Sequence, residues 1–117
     1  MATQYIRLVV SLTINQGKLE QFRSIAAEMS HGCKAERGTL SYEWFISDDN
    51  KRCRTFEGYA DSDAMLAHFA GTVVVSLVPK LLECTKVERL EVYGDIGAEA
   101  SAVVAGFGAE IFPTLRS

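Results

Sequence analysis

The strongest constraint on this chain is a period of two near its N-terminus. Across residues 5–14, Ile6, Leu8, Val10, Leu12 and Ile14 fall on one side of an extended backbone. Tyr5, Arg7, Val9, Ser11 and Thr13 fall on the other. Successive side chains of a strand point to opposite faces, so this alternation predicts a strand with one wholly apolar face. Asn15-Gln16-Gly17 reads as the turn that ends it.

From Lys18 to about Ala35 the period changes. Leu19, Phe22, Ile25, Ala26, Met29 and Cys33 recur at helical spacing among charged neighbours, which predicts an amphipathic helix ending near Gly32 or Glu36. Thr39 to Ser47 is rich in β formers (Leu40, Tyr42, Trp44, Phe45, Ile46) and reads as a second strand. Asp48-Asp49-Asn50-Lys51 reads as a hairpin turn, because such side chains satisfy turn backbone and tolerate left-handed conformations. Arg52 to Ala60 is then a third strand, antiparallel to the second. Asp61-Ser62-Asp63 looks like a helix N-terminus, with a capping oxygen and negative charge at the positive end of the dipole. Ala64 to Ala70 continues it and Gly71 breaks it. Val73 to Cys84 has the spacing of a further helical segment, with Pro79 expected to kink it or start a new turn. Thr85 to Tyr93 returns to strand character, and Gly94-Asp95 ends it.

The predicted order is β, α, β, β, α, β. Right-handed crossovers then place both helices on one face of a four-stranded antiparallel sheet, an α+β, ferredoxin-like arrangement. The opposite face still carries Val9 and one side each of the aromatic second strand and the fourth strand. A patch of that kind is hidden most simply by a second copy packed sheet to sheet, a two-fold homodimer. Residues 1–95 are expected to form the domain and 96–117 a C-terminal tail. Within the tail, Ile96 to Val104 reads as a short alanine-rich helix. Phe107, Ile111, Phe112 and Leu115 make the rest apolar enough to fold back on the domain or to cross to a partner.

Composition sets the remaining bounds. The 117 residues fit one domain, large enough to bury roughly two-thirds of its unfolded surface. Net charge is −3 and no lysine or arginine cluster occurs, which argues against nucleic acid and anionic membrane surfaces as partners. Met-Ala-Thr-Gln shows no basic-then-apolar leader, and the longest apolar stretch, Val73 to Leu82, is interrupted by Ser76, Pro79 and Lys80. Cys33, Cys53 and Cys84 are odd in number and widely spaced, so they read as three reduced thiols in a cytoplasmic protein, with no disulfide framework or zinc spacing.

Three stretches together resemble the antibiotic biosynthesis monooxygenase family. Glu36-Arg37-Gly38-Thr39-Leu40-Ser41-Tyr42 resembles the family's E-x-G-x-L-x-Y segment. Glu57-Gly58-Tyr59-Ala60-Asp61, followed by Ala64 and His68, resembles its E-x-W-x-D-x-x-A-x-x-x-H run. Val87 to Tyr93 resembles its last strand. The likeness covers about residues 5–94. It implies a dimeric α+β barrel and, at the level of chemistry, oxygenation of a small hydroquinone-like or polycyclic aromatic substrate without metal, flavin or haem. The family's tryptophan position is Tyr59 here. Haem-degrading relatives use an asparagine, a tryptophan and a histidine, of which only His68 is matched, so the resemblance does not extend to haem degradation.

Cofactor-free oxygenation needs an electron-rich substrate, a group to favour its anion, and a dry pocket. Histidine suits the proton step near neutral pH, and His68 is the candidate, beside Phe69. Its bland reading is a half-buried histidine that only hydrogen-bonds a neighbour. Tyr59 and Tyr42 could hydrogen-bond a phenolic oxygen, and Trp44 offers an aromatic wall or simple core packing. The hairpin register predicts that Leu40, Tyr42 and Trp44 share a sheet face with Thr55, Glu57 and Tyr59. Glu57 is an unusual charge in an interior strand. It is expected to pair with Arg7, Arg54 or Arg89, the alternative being a pocket carboxyl with a shifted pKa. His31 reads as a surface residue. The competing function is a non-catalytic dimeric module that binds a small apolar ligand.

Overall fold

The computed structural model describes residues 5–116; the first four residues, where the leader was sought, lie outside them. Nine elements follow one another: β1 (Ile6–Ile14), α1 (Leu19–Cys33), β2 (Thr39–Ile46), β3 (Arg52–Tyr59), α2 (Ser62–Ala70), α3 (Thr72–Cys84), β4 (Thr85–Tyr93), α4 (Gly97–Gly106) and β5 (Glu110–Phe112). The sheet order is β2-β3-β1-β4-β5, with β1 antiparallel to both β3 and β4. The first four strands are the ferredoxin-like set that the alternation of periods predicted. The sheet nevertheless has five strands and is mixed, because β5 adds parallel to β4. Three residues are too few to show a period of two. The α4 crossover makes parallel pairing possible, and Phe112 then stacks on Tyr93 with ring centroids 5.0 Å apart.

Ile6, Leu8, Leu12 and Ile14 are buried on the inner face of β1. Two clusters form there. Leu12 and Ile14 meet Phe22, Ile25 and Met29 of α1 and Leu77 and Leu81 of α3. Ile6, Leu8 and Val92 meet Met65 of α2 and Ala100 and Val104 of α4. Val10 touches both clusters and marks the seam between them. Among the described residues no single helix is long and apolar enough to cross a membrane; α2 and α3 are bent 61° apart at Gly71.

α1 ends at Cys33, near Gly32 as the spacing predicts, and Pro79 falls within α3 without starting a new element. Gly32 lies inside α1, where a Cβ would come within 2.6 Å of Val73 Cγ2, so it is the residue that lets α1 and α3 approach. Pro79 lies inside α3, which runs unbroken from Thr72 to Cys84. Pro79 and Val75 are both exposed, so the carbonyl freed by the missing N–H faces water. Gly71 separates the two helices as expected, and Asp61 accepts the Ala64 N–H at 2.8 Å as the cap of α2.

The hairpin register pairs Trp44 with Thr55 and Tyr42 with Glu57, as the turn implies. Asn50 takes the left-handed conformation at φ 60°. Leu40 is the exception. A bulge between Thr39 and Ser41 breaks the alternation, and Leu40 ends 57% exposed, away from the inner face.

Candidate active site

Strand alternation sends Thr55, Glu57 and Tyr59 of β3 inward together, and all three are buried. β2 places Tyr42 and Trp44 beside them. The last turn of α2 brings His68, 3% exposed, over this row. The centroid of its ring lies 5.3 Å from that of Tyr59 and 5.7 Å from that of Tyr42. A cavity of about 210 Å³ lies at the seam of the two core clusters. His68, Glu57, Tyr42, Trp44 and Phe69 line it on one side. Leu82, Val87 and Phe107, each about half exposed, stand at its margin. Phe107 stacks on Phe69 at 4.9 Å.

The polar groups form a connected line. His68 Nδ1 is 2.8 Å from Glu36 Oε1, and Thr39 donates to the same oxygen at 2.8 Å. His68 Nε2 is 3.8 Å from Glu57 Oε1. Glu57 accepts the Thr55 hydroxyl at 2.8 Å and the Tyr59 hydroxyl at 2.5 Å. One imidazole therefore sits between two carboxyl groups, with both ring nitrogens directed at an oxygen. A carboxylate accepts only, so Glu36 draws the ring proton to Nδ1 and leaves Nε2 on the Glu57 side.

Glu57 has no arginine partner. Arg7, Arg54 and Arg89 occupy positions of opposite parity, on the outer face. There Arg7 lies over Tyr5, Arg54 donates to the Cys53 carbonyl, and Arg89 meets Glu91 at 3.4 Å. The expected ion pair fails for the same reason that the strand alternates. Burial instead raises the Glu57 carboxyl above its ordinary range, against the lowering effects of His68 and of the Tyr59 and Thr55 hydroxyls. Burial, then the Glu57 charge, pushes the Tyr59 and Tyr42 hydroxyls far up, so both stay protonated and act as donors. The Cys33 thiol is pushed up to about 12, by burial and then by Glu36 and Glu57; in this state it is no nucleophile.

Of the residues singled out in the sequence, His68, Tyr59, Tyr42, Trp44, Glu57 and Phe69 are brought together, and His31 is exposed. The Trp44 indole N–H is buried without a partner among the described residues, facing neighbours that are aromatic: Phe22 and Tyr42. Glu36, Thr55 and Phe107 were not read as site residues. Glu36 stood in the quoted motif, but nothing local showed that it would reach His68. Cys33 Sγ, a Glu36 oxygen and a His68 ring nitrogen also lie within 4.8 Å of one another, the one group of metal-capable side chains of this kind among the described residues.

The antibiotic biosynthesis monooxygenase profile matches residues 5–75, more than half of the 117 residues. The chain belongs to this family. A comparison with curated proteins finds no match. Among solved structures, MupZ from Pseudomonas fluorescens is similar over 100% of this chain and 90% of its own, with a TM-score of 0.82 at 17% identity. SnoaB from Streptomyces nogalater, described as a cofactor-independent oxygenase, is similar over 83% of this chain and 97% of its own, with a TM-score of 0.70 at 15% identity. A protein from Methanosarcina mazei gives 0.72 at 18% identity, over 78% of this chain and 92% of its own. At such identities the likeness is one of fold. The likeness to MupZ in fold spans α4 and β5 as well.

The raised carboxyl of Glu57 has a consequence for stability. The unfolded chain ionises near the ordinary value of 4.5, whereas the folded chain holds its proton longer. Stability from this group is therefore full below that value and is lost as pH rises through the folded pKa. Glu57→Gln keeps an oxygen for one of the two hydroxyls and turns an amide N–H to the other, which can accept it, but it cannot ionise. Its melting temperature should exceed that of the wild type by several degrees at pH 8, with the margin shrinking toward pH 4. Thermal melts across that range check this; a margin independent of pH contradicts it.

Proposed function

We propose that this protein is a cofactor-independent monooxygenase acting on a small hydroquinone-like or polycyclic aromatic substrate. The observation that carries the reading is the placement of His68, held by Glu36 at the wall of an apolar cavity. A phenolic ring entering that cavity meets aromatic walls at Trp44 and Phe69 and the hydroxyl of Tyr42, while Tyr59, whose hydroxyl donates to Glu57, acts from behind that carboxyl group. His68 Nε2 takes the phenolic proton, and the electron-rich anion that remains can pass an electron to molecular oxygen. Recombination of the radical pair puts a peroxide on a ring carbon that bears hydrogen. Loss of water then leaves a carbonyl, so one oxygen atom stays in the product and the other leaves as water. Excluding solvent keeps the radical pair together and strengthens each hydrogen bond.

The outer face of the sheet supports a homodimer. Phe45 and Phe56 lie there in edge-to-face contact at 5.5 Å, 52% and 48% exposed. Arg7, Glu43 and Glu91 surround a broad shallow depression on the same face. Two copies packed across it would hide the rings and match charges of both signs. The buried free thiols Cys33, Cys53 and Cys84 suit a reducing, cytoplasmic setting.

Two experiments test these readings. Chelator-treated protein should take up oxygen with a panel of hydroquinones and polycyclic phenols well above autoxidation, and His68→Ala should lose about 100-fold or more of that rate. Full turnover by the variant would remove the central role given to His68. Sedimentation should give twice the 12.9 kDa chain mass, and the double variant Phe45→Asp/Phe56→Asp should sediment as a monomer. A wild-type monomer would remove the dimer.

A further inference from the structure

We propose that Cys33, Glu36 and His68 form a binding site for a transition-metal ion of the zinc class, with water as the fourth ligand. The donors come from two elements and the turn after one of them: Cys33 from the last turn of α1, Glu36 from the loop that follows, and His68 from the last turn of α2. Their ligand atoms all lie within 4.8 Å of one another. Bonds of about 2.0–2.3 Å to a tetrahedral zinc place ligand atoms about 3.3–3.8 Å apart. The widest gap must therefore close by about 1 Å, and the 2.8 Å contact between Glu36 and His68 Nδ1 must open as the ion replaces the proton between them. Glu36 can supply that movement, since it lies outside both helices and its side chain is 21% exposed. The same exposure gives the ion a way in.

Three further features favour a cation here. The first is charge. Glu36, Glu57 and the Cys33 thiol crowd together, yet among the described residues no lysine or arginine forms an ion pair with either carboxyl group. Two carboxyl groups and a thiol with no lysine or arginine partner among the described residues are groups that an ion of charge two would draw into their anionic forms and hold. The second is support behind the ligands. Thr39 donates to Glu36 at 2.8 Å, and Glu57 lies 3.8 Å from His68 Nε2. With the metal on Nδ1, the ring proton sits on Nε2 and faces Glu57, the carboxylate–histidine–metal arrangement that orients such ligands. The third is donor type. One sulfur, one nitrogen and one oxygen select Zn²⁺ or Co²⁺ over Mg²⁺ or Ca²⁺, which take oxygen alone. On binding, Cys33 gives up its proton to solvent and coordinates as thiolate; there is no change of oxidation state.

The site shares His68 with the proton transfer proposed above, and because the metal-bound ring carries its proton on Nε2, a bound ion and that proton transfer exclude each other. Metal binding is read by colour and does not require turnover, so either proposal can fail alone. Reduced, chelator-treated protein titrated with Co²⁺ should develop a near-ultraviolet thiolate-to-cobalt band and visible four-coordinate bands, saturating at one ion per chain. Zn²⁺ should abolish both. Cys33→Ser should lose the near-ultraviolet band, whereas Cys53→Ser and Cys84→Ser should keep it. Glu36→Gln, at a half-buried position that spares the core if Cys33→Ser fails to fold, should weaken binding by about tenfold or more. Wild-type protein that stays colourless, a band that survives Cys33→Ser in folded protein, or unchanged affinity in Glu36→Gln would overturn the site.

Discussion

The hydrogen bond between Glu36 and His68 joins the two halves of the molecule that matter most. Glu36 follows α1 and His68 closes α2, so the bond ties the start of β2 to a helix entered from β3. It exists only because α2 comes unusually near the backbone at Gly38. A Cβ there would lie 2.2 Å from the Ala64 Cβ, closer than two carbons can stand. Gly38 also accepts the Ala60 N–H at 2.9 Å, which fixes the end of β3 to the same point. A small residue on each side of this contact, Gly38 and Ala64, sets the height of α2 above the sheet. With α2 at that height, His68 reaches Glu36 on one side and Glu57 on the other.

Most matched positions of the two motif stretches then have a physical task; Leu40, turned outward by the bulge, is the exception. Asp61 caps α2 and starts it in the right place. Ala64 rests on Gly38. His68, four residues later and one turn along the same helix face, arrives over the inner row of β3. Glu57 and Tyr59 stand two residues apart on that row and meet through the Tyr59 hydroxyl. Placing so many polar groups inside an apolar shell costs stability, because each must be desolvated. The line from Thr39 to Thr55 leaves every one of its members with a partner, which is the condition under which a buried network holds one arrangement. The raised carboxyl of Glu57 is the residue of that cost.

Much of this was legible in the sequence, for identifiable reasons. The period-two run of β1, the helical spacing of Phe22, Ile25, Met29 and Cys33, and the turn residues 48–51 carry local information, and local information gives the first four strands and the register of Tyr42 and Trp44. What failed was non-local or too short. β5 has three residues and depends on α4 to turn it parallel to β4. Leu40 looked like an inner residue until the bulge displaced it. The expected arginine partner for Glu57 ignored the parity that the same strands had already displayed. Glu36 could be quoted as part of a motif, but only the tertiary approach at Gly38 shows what it touches. Cys33 read as one position of the apolar stripe of α1, since neither Glu36 nor His68 is recognisable as its neighbour from spacing alone.

Proton transfer at this site depends on His68 carrying its proton on Nδ1, toward Glu36, with Nε2 turned to Glu57 and the cavity. Nitrogen-15 NMR of metal-free protein near neutral pH tests this directly, since the chain has only two histidines and His31→Gln assigns them. The expected result is a protonated Nδ1 with a strongly hydrogen-bonded proton, whose signal moves on Glu36→Gln. A neutral ring protonated only on Nε2, with a bare Nδ1, would contradict it.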